Sequence, residues 1–316
     1  MSLNIINAIS LYLEDCMARA QSPATLEGKR STLNQFAACC FDSNVTCITQ
    51  ISLTVLRTYQ QFLATFQTRQ KKHLDITTQR NKLVMVRDFC HRLYLLECLD
   101  KNPADRFEVP KRPRRLPDAI LTSNEVDAIF QRTVLHREHG LRDRCILELY
   151  YSSAMRRAEL SRMTMNDVDI DKSMVRINKG KGGKDRIVPI APRTSTMLTQ
   201  YVEQVRRKGL QFSSGNWLFL NNRNEQFTPQ QLSSLVRKYV VRAGVDRKGA
   251  CNLYRHTAAT QMLENGADIR VIQQQLGHED LSTTQVYTLV SPTLLIDTYH
   301  KTHPAALDGR SDAKPH

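Results

Sequence analysis

The sequence predicts a mainly helical chain in two domains, with one small antiparallel β-sheet in the second. Three observations carry that expectation. After Thr77-Thr78, the residues Leu83, Val86, Phe89, Cys90, Leu93 and Leu96 recur at helical spacing. The stretch Val109-Pro110-Lys111-Arg112-Pro113-Arg114-Arg115-Leu116-Pro117 holds three prolines, four basic residues and no acid. Proline lacks an N–H donor and disfavours helix in the residue before it, so this stretch reads as an extended linker. Finally, Met174–Ile177 and Arg186–Pro189 are short alternating runs on either side of Gly180-Lys181-Gly182-Gly183-Lys184, a glycine-rich turn between two strands. The expected boundaries are a helical domain over 1–108, the linker over 109–117, a mixed domain over 118–306 and a polar tail over 307–316.

A chain of 316 residues accommodates two domains at roughly 100–200 residues each. With 41% hydrophobic and 24% charged residues it has the material for a sizeable core. The charge is less ordinary: 45 Lys+Arg against 31 Asp+Glu give +14. Residues 1–110 carry 13 basic and 10 acidic side chains, and residues 111–316 carry 32 and 21, so most of the excess lies in the second part. Such an excess favours a polyanionic partner, because each phosphate neutralised releases condensed counterions. Charge alone leaves solubility and a membrane-surface habit open.

In chain order, Met1 to Cys16 is amphipathic and contains Glu14 and Asp15, which does not suit an export signal, and no stretch reads as a membrane span. Ser22-Pro23 marks a helix start, a side-chain cap followed by a residue already at helical φ. The long periodic helix is expected to end near Asn102-Pro103. Arg69, Lys71, Lys72, Arg80, Lys82, Arg87 and Arg92 cluster on and before it, as a solvated face or as phosphate contacts. Thr122-x-x-Glu125 is a capping box ahead of Val126, Ile129 and Phe130. A helix through Cys145–Tyr150 leads to Ser153-Ala154-Met155-Arg156, and Thr228-Pro229 opens another that Gly244 stops. Ser291-Pro292 begins a small amphipathic segment with Leu294, Leu295, Ile296 and Tyr299, and the tail after Pro304 is polar. The eight cysteines show no CxxC pair and no zinc-ligand spacing, and most stand among apolar helical neighbours. A reduced, cytoplasmic protein is expected.

Four separated segments concentrate the chemistry: Ala154-Met155-Arg156-Arg157-Ala158-Glu159-Leu160; Asn178 through Pro189; Asn252-Leu253-Tyr254-Arg255-His256-Thr257-Ala258-Ala259-Thr260; and Leu276-Gly277-His278-Glu279-Asp280, followed nine residues after the histidine by Tyr287. In this order the set resembles the tyrosine recombinase family (phage integrases and Xer-type site-specific recombinases). The resemblance covers the second domain, and the helical first domain and basic linker look like that family's core-binding domain and interdomain strap.

The resemblance implies a two-domain tyrosine recombinase fold and DNA strand exchange through a 3′-phosphotyrosine, with no metal or other cofactor. Tyr287 is then the nucleophile, whose phenol conserves the phosphodiester's energy in a covalent bond. Arg156 and Arg255 form the phosphate clamp, a task that suits a planar fork of donors. Lys181 is the general acid for the departing 5′-oxygen, with Lys179 and Lys184 as competitors. His278 hydrogen-bonds the phosphate or manages the nucleophile's proton. Arg156 is preferred over Arg157 because it stands three residues before Glu159, as the family pattern requires, while His256, Tyr254 and Tyr299 are read as structural. A nucleotide-binding loop does not fit, since GxxxxGK[ST] is missing and Lys184 precedes Asp185.

Two positions depart from the family. Asn252 stands where histidine, sometimes lysine, is usual. Asparagine donates a hydrogen bond but cannot take a proton near neutral pH, so a general-base role there is lost or moved to His278. Ala154 replaces a customary glycine. The implied partners are a double-stranded recombination site and a homotetramer or heterotetramer on two sites, with no membrane. The implied biology is recombination for a mobile element. A catalytically impaired DNA-binding protein of the same fold, a chromosome or plasmid multimer resolvase, a type IB topoisomerase-like enzyme and a helical transcription regulator are the rivals. The last gives no reason for the late tyrosine. In this family a C-terminal helix often docks on the neighbouring protomer, a role the segment from Ser291 could take.

Overall fold

Polar caps start the helices of the first part. Asn4, Ser22, Ser52 and Asp75 each accept a backbone N–H of the first turn, opening α1 (Ile5–Ala18), α2 (Pro23–Asp42), α3 (Leu53–Thr65) and α4 (Ile76–Leu95). The computed structural model describes residues 3–68, 70–111, 120–134, 139–178, 185–206 and 215–278, the side chain of residue 205 excepted. Arg69, linker residues 112–117, the turn 180–184, the segment from Ser291 with Tyr299, and the tail 307–316 lie outside the described residues. The chain divides into two compact units, residues 1–114 and 115–316.

In the first unit the four helices bury one apolar cluster that includes Tyr12, Phe36, Tyr59, Leu83 and Phe89. The one buried cation among its described residues, Lys29, donates to Asp88 at 3.0 Å and to the Tyr12 hydroxyl at 2.5 Å. The Tyr12 hydroxyl in turn donates to Asp88, so the Lys29 ammonium enters the core already paired. Arg92 grips both oxygens of Asp15 at 2.5 and 2.7 Å, and Lys82 donates to Gln35 at 2.8 Å. These two cations of the basic cluster therefore bind helix to helix, whereas Lys71, Lys72 and Arg87 are exposed.

The second unit centres on α6 (Gly140–Ser153), whose residues from Cys145 to Tyr150 are all buried because α5 (Ser123–Gln131), α8 (Pro192–Tyr201) and α10 (Cys251–Glu264) cover it on several sides. Between α6 and α8 stand the short α7 (Arg157–Ser161) and an antiparallel sheet in the order β1 (Val168–Asp169), β2 (Met174–Ile177), β3 (Arg186–Pro189). Val175 faces Val188 in its register, both turned to the core. After α9 (Pro229–Arg242), opened by the Thr228 capping box, come α10 and α11 (Ile269–Leu276). A small apolar cluster of Ala154, Ala258, Ala259, Leu263, Ile272 and Leu276 seats α10 and α11 against the end of α6. Six of the eight cysteines are buried. No helix among the described residues is long and apolar enough to cross a membrane.

Two elements depart from the expectation. A third strand, β1, pairs with β2 although its two residues carry no alternating pattern. And α4 ends at Leu95, not near Asn102-Pro103. Glu97 takes φ +56°, and the Cys98 N–H reaches back to the Leu93 carbonyl at 2.9 Å while the Glu97 N–H reaches Tyr94. That is a Schellman stop, made here without the glycine that announces it in a sequence. An L-residue at such a φ costs ~1 kcal/mol. Glu97→Gly is therefore expected to raise stability by about 1 kcal/mol in denaturant unfolding; a variant of equal or lower stability would contradict this reading of the α4 terminus.

Candidate active site

The end of α6 shapes the first part of the site. Ala154 lies in the left-handed region at φ +52°, the conformation for which glycine is usual at that place, and the chain turns sharply through buried Met155 to Arg156. Arg156 begins α7, where its backbone N–H donates to Glu159 Oε2 at 2.8 Å and its Nη1 to Oε1 at 2.9 Å. Arg157, one residue on, is exposed and reaches Ser233 instead. The three-residue spacing to Glu159 is thus a capping contact that selects Arg156 over its neighbour.

On α10, Arg255 is 5% exposed and donates through Nη1 to the Ala154 carbonyl at 2.6 Å. The left-handed turn at Ala154 places that carbonyl. Asn252 is exposed in the first turn of α10, three residues before Arg255 and so on the same side of the helix. His256 is partly buried, and burial followed by the Arg255 charge pulls its pKa down. Tyr254 is fully buried, its ring stacked on Phe130 and edge-on to Tyr151, a packing role.

The third part is the C-terminus of α11, where the last four carbonyls of a helix have no partner within it. Here each has a donor. The Gln273 carbonyl accepts the His278 N–H at 3.2 Å and that of Gln274 accepts the Gly277 N–H at 3.1 Å. The Gln275 carbonyl accepts Arg186 Nε at 3.2 Å, and that of Leu276 accepts Arg255 Nη2 at 2.7 Å. One residue further, the Gly277 carbonyl accepts Arg156 Nη2 at 3.2 Å. Three guanidinium groups thus meet three successive carbonyls at the negative end of the helix dipole. Glycine suits position 277 twice over: its φ is +62°, and a Cβ there would stand 3.0 Å from the Arg186 side chain, which would have to shift. His278 follows at once, its own carbonyl held by Gln273 Nε2 at 3.0 Å.

Glu159 ties these parts together. Arg186, on β3, donates to both of its oxygens at 2.9 and 2.8 Å. Burial pushes the Glu159 carboxyl up. Hydrogen bonds from Arg186 and the Arg156 backbone, with both guanidinium charges, outweigh burial and bring it from its ordinary 4.5 to about 2. Arg186 and Gln275 were not singled out by the sequence. Their signal was a polar residue at an apolar phase: Arg186 shares its strand face with buried Val188, and Gln275 lies three residues after buried Ile272.

Among the described residues, then, Arg156, Arg255 and His278 converge on the α11 terminus, with Asn252 one turn away. Lys181, Lys179, Lys184 and Tyr287 lie outside the described residues. The cluster named here holds three guanidinium groups against one carboxylate, an arrangement suited to a phosphate. A cavity of about 690 Å³ lies to one side, lined by residues such as Tyr151, Ile190, Met262 and Gln275. Neither Arg156 nor Arg255 is among its lining residues.

Residues 119–293 match the phage integrase family, a span that includes positions 156, 181, 255, 278 and 287. The chain is 34% identical over 296 residues to tyrosine recombinase XerC 2 of Ralstonia nicotianae, covering 94% of this chain and 85% of the relative. To tyrosine recombinase XerC of Pelobacter propionicus it is 36% identical over 303 residues, 95% of each chain. Among solved structures, the XerA recombinase shares 26% identity over 94% of this chain and 98% of its own, with a TM-score of 0.52. The XerH recombinase bound to a palindromic difH substrate shares 18% identity over 94% and 95%, with a TM-score of 0.67, a likeness of fold.

The depressed Glu159 pKa gives a pH signature. A carboxyl held low in the fold contributes stability above about 4.5, its unfolded value, and loses it as pH falls toward about 2. Relative to Glu159→Gln, the wild type is expected to be more stable by on the order of 3 kcal/mol at pH 5 to 7, the gap closing between pH 5 and pH 2 in urea titrations. A gap independent of pH would contradict an ionised Glu159 paired with Arg156 and Arg186.

Proposed function

Because the chain belongs to the phage integrase family and is a tyrosine-type site-specific DNA recombinase, we propose that it cuts and rejoins strands through a 3′-phosphotyrosine on Tyr287. The phenolic oxygen of Tyr287 attacks the scissile phosphorus, the P–O5′ bond breaks, and Lys181 delivers a proton to the departing 5′-oxygen. Arg156 and Arg255 stabilise the charge that gathers on the nonbridging oxygens, and His278 hydrogen-bonds the phosphate or takes the tyrosine proton, which otherwise passes to solvent. A 5′-hydroxyl from another strand then attacks the phosphotyrosine, releasing Tyr287 and sealing the exchanged strand. Asn252 contributes a neutral hydrogen bond and no proton transfer.

The observation that carries this reading is the register of Arg156 and Arg255 on adjacent carbonyls at the α11 terminus, with His278 next in the chain. Two guanidinium forks held this way are pre-organised, so little rearrangement opposes the reaction. In the proposed assembly, the first unit acts as the core-binding domain, the basic linker follows the duplex, and four protomers, alike or of two kinds, occupy two sites. The departure at Asn252 favours a divergent recombinase of a mobile element over a resolvase of chromosome or plasmid multimers.

Nicked suicide duplexes tiled across the DNA that flanks the coding sequence test this directly. The wild type is expected to leave a covalent protein–DNA band on a denaturing gel, and Tyr287→Phe to leave none. Arg156→Ala and Arg255→Ala should each slow its appearance by about 10²-fold or more. A band undiminished in Tyr287→Phe would overturn the assignment. Asn252→His, compared in the same assay, is expected to raise the rate if the missing imidazole limits proton transfer.

A further inference from the structure

Arg186 belongs to none of the four motif roles, yet it joins two parts of the site, Glu159 and the α11 terminus. It forms a two-pronged ion pair with Glu159 at 2.9 and 2.8 Å, it donates to the Gln275 carbonyl at 3.2 Å, and its stem fills the space under Gly277. Its side chain is 11% exposed. A lone surface ion pair would need no comment. This one shares its carboxylate with Arg156, whose Nη1 reaches the same Glu159 Oε1 at 2.9 Å.

The consequence is electrostatic as well as geometric. With Glu159 ionised, Arg156 and Glu159 alone would form a neutral pair, and the arginine's charge would be cancelled where a phosphate needs it. A second guanidinium on the same carboxylate leaves the group of three at a net +1. It also sets the plane of the Glu159 carboxylate, hence the direction in which the Arg156 fork lies. Lysine could supply the charge, but not two parallel N–H bonds to one carboxylate with a third to a carbonyl.

We propose that Arg186 is a positioning residue for strand cleavage, one that acts through Glu159 to hold Arg156 charged and oriented toward the scissile phosphate while it anchors the start of β3 to the α11 terminus. This rests on the recombinase reading above and adds a member to its machinery. Arg186 reaches Arg156 through the shared Glu159 carboxylate, so the effect proposed for it depends on Arg156 being present.

A double-mutant cycle reads that dependence. Single-turnover cleavage of the nicked duplex at saturating protein is measured for wild type, Arg156→Ala, Arg186→Gln and the double variant, with duplex binding and thermal melting alongside. Arg186→Gln is expected to slow cleavage by about 10-fold to 10²-fold while binding changes only a few-fold. In the Arg156→Ala background the same change should cost less than about 2-fold. Arg186→Lys, which keeps the charge without the fork, is expected to fall between wild type and Arg186→Gln, and it replaces Arg186→Gln in the cycle if the latter does not fold. Cleavage by Arg186→Gln at the wild-type rate, or losses that simply multiply in the double variant, would overturn the proposal. A wild type that forms no adduct at all would instead sink the recombinase mechanism, and this proposal with it.

Discussion

The site is organised by the need to satisfy the carbonyls at the end of α11. In a buried setting an unpaired carbonyl costs roughly 1–3 kcal/mol, and a helix leaves four of them at its C-terminus. Two are closed by the turn through Gly277 and His278, and two by the side chains of Arg186 and Arg255. Arg156 takes the next carbonyl along. A requirement of folding therefore fixes the positions of residues from three separate segments of the chain. The small apolar cluster under Ala154, Ile272 and Leu276 keeps that terminus seated.

Collecting guanidinium groups at one spot raises its own difficulty, since like charges repel and buried charges lose hydration. Glu159 answers it from a nearly fully buried position, accepting from Arg156 and Arg186 together. One carboxylate among three guanidinium groups leaves a positive excess. The same balance holds at larger scale, where the excess of basic residues lies mainly beyond residue 110, in the part of the chain that contains this cluster. Long-range charge favours approach of a polyanion, and the local excess favours a phosphate at one place.

Much of this was legible in the residues. Ser22-Pro23, Thr122-x-x-Glu125 and Thr228-Pro229 start helices where they stand, because a side-chain cap is a local contact. Met174–Ile177 and Arg186–Pro189 pair as alternation suggested. The end of α4 was not legible, because Glu97 adopts a conformation that sequences usually assign to glycine. Nor was the work of Arg186, since a strand pattern shows that a charge faces inward without naming its partner 27 residues away. Ala154 had stood out only as a departure from glycine; its left-handed backbone shows why glycine is customary there, and its carbonyl shows what the turn is for.

A structural role and a chemical one coincide in Arg255, which closes two buried carbonyls and is assigned to the phosphate. A charge-neutral substrate separates them. With a methylphosphonate in place of the scissile phosphodiester, one negative charge is gone and little remains for the guanidinium to stabilise. Cleavage by Arg255→Ala should fall by about 10²-fold or more on the natural linkage but by less than about 10-fold on the methylphosphonate. Equal losses on the two substrates would mean that Arg255 serves the fold alone, and would contradict a clamp built on the α11 terminus.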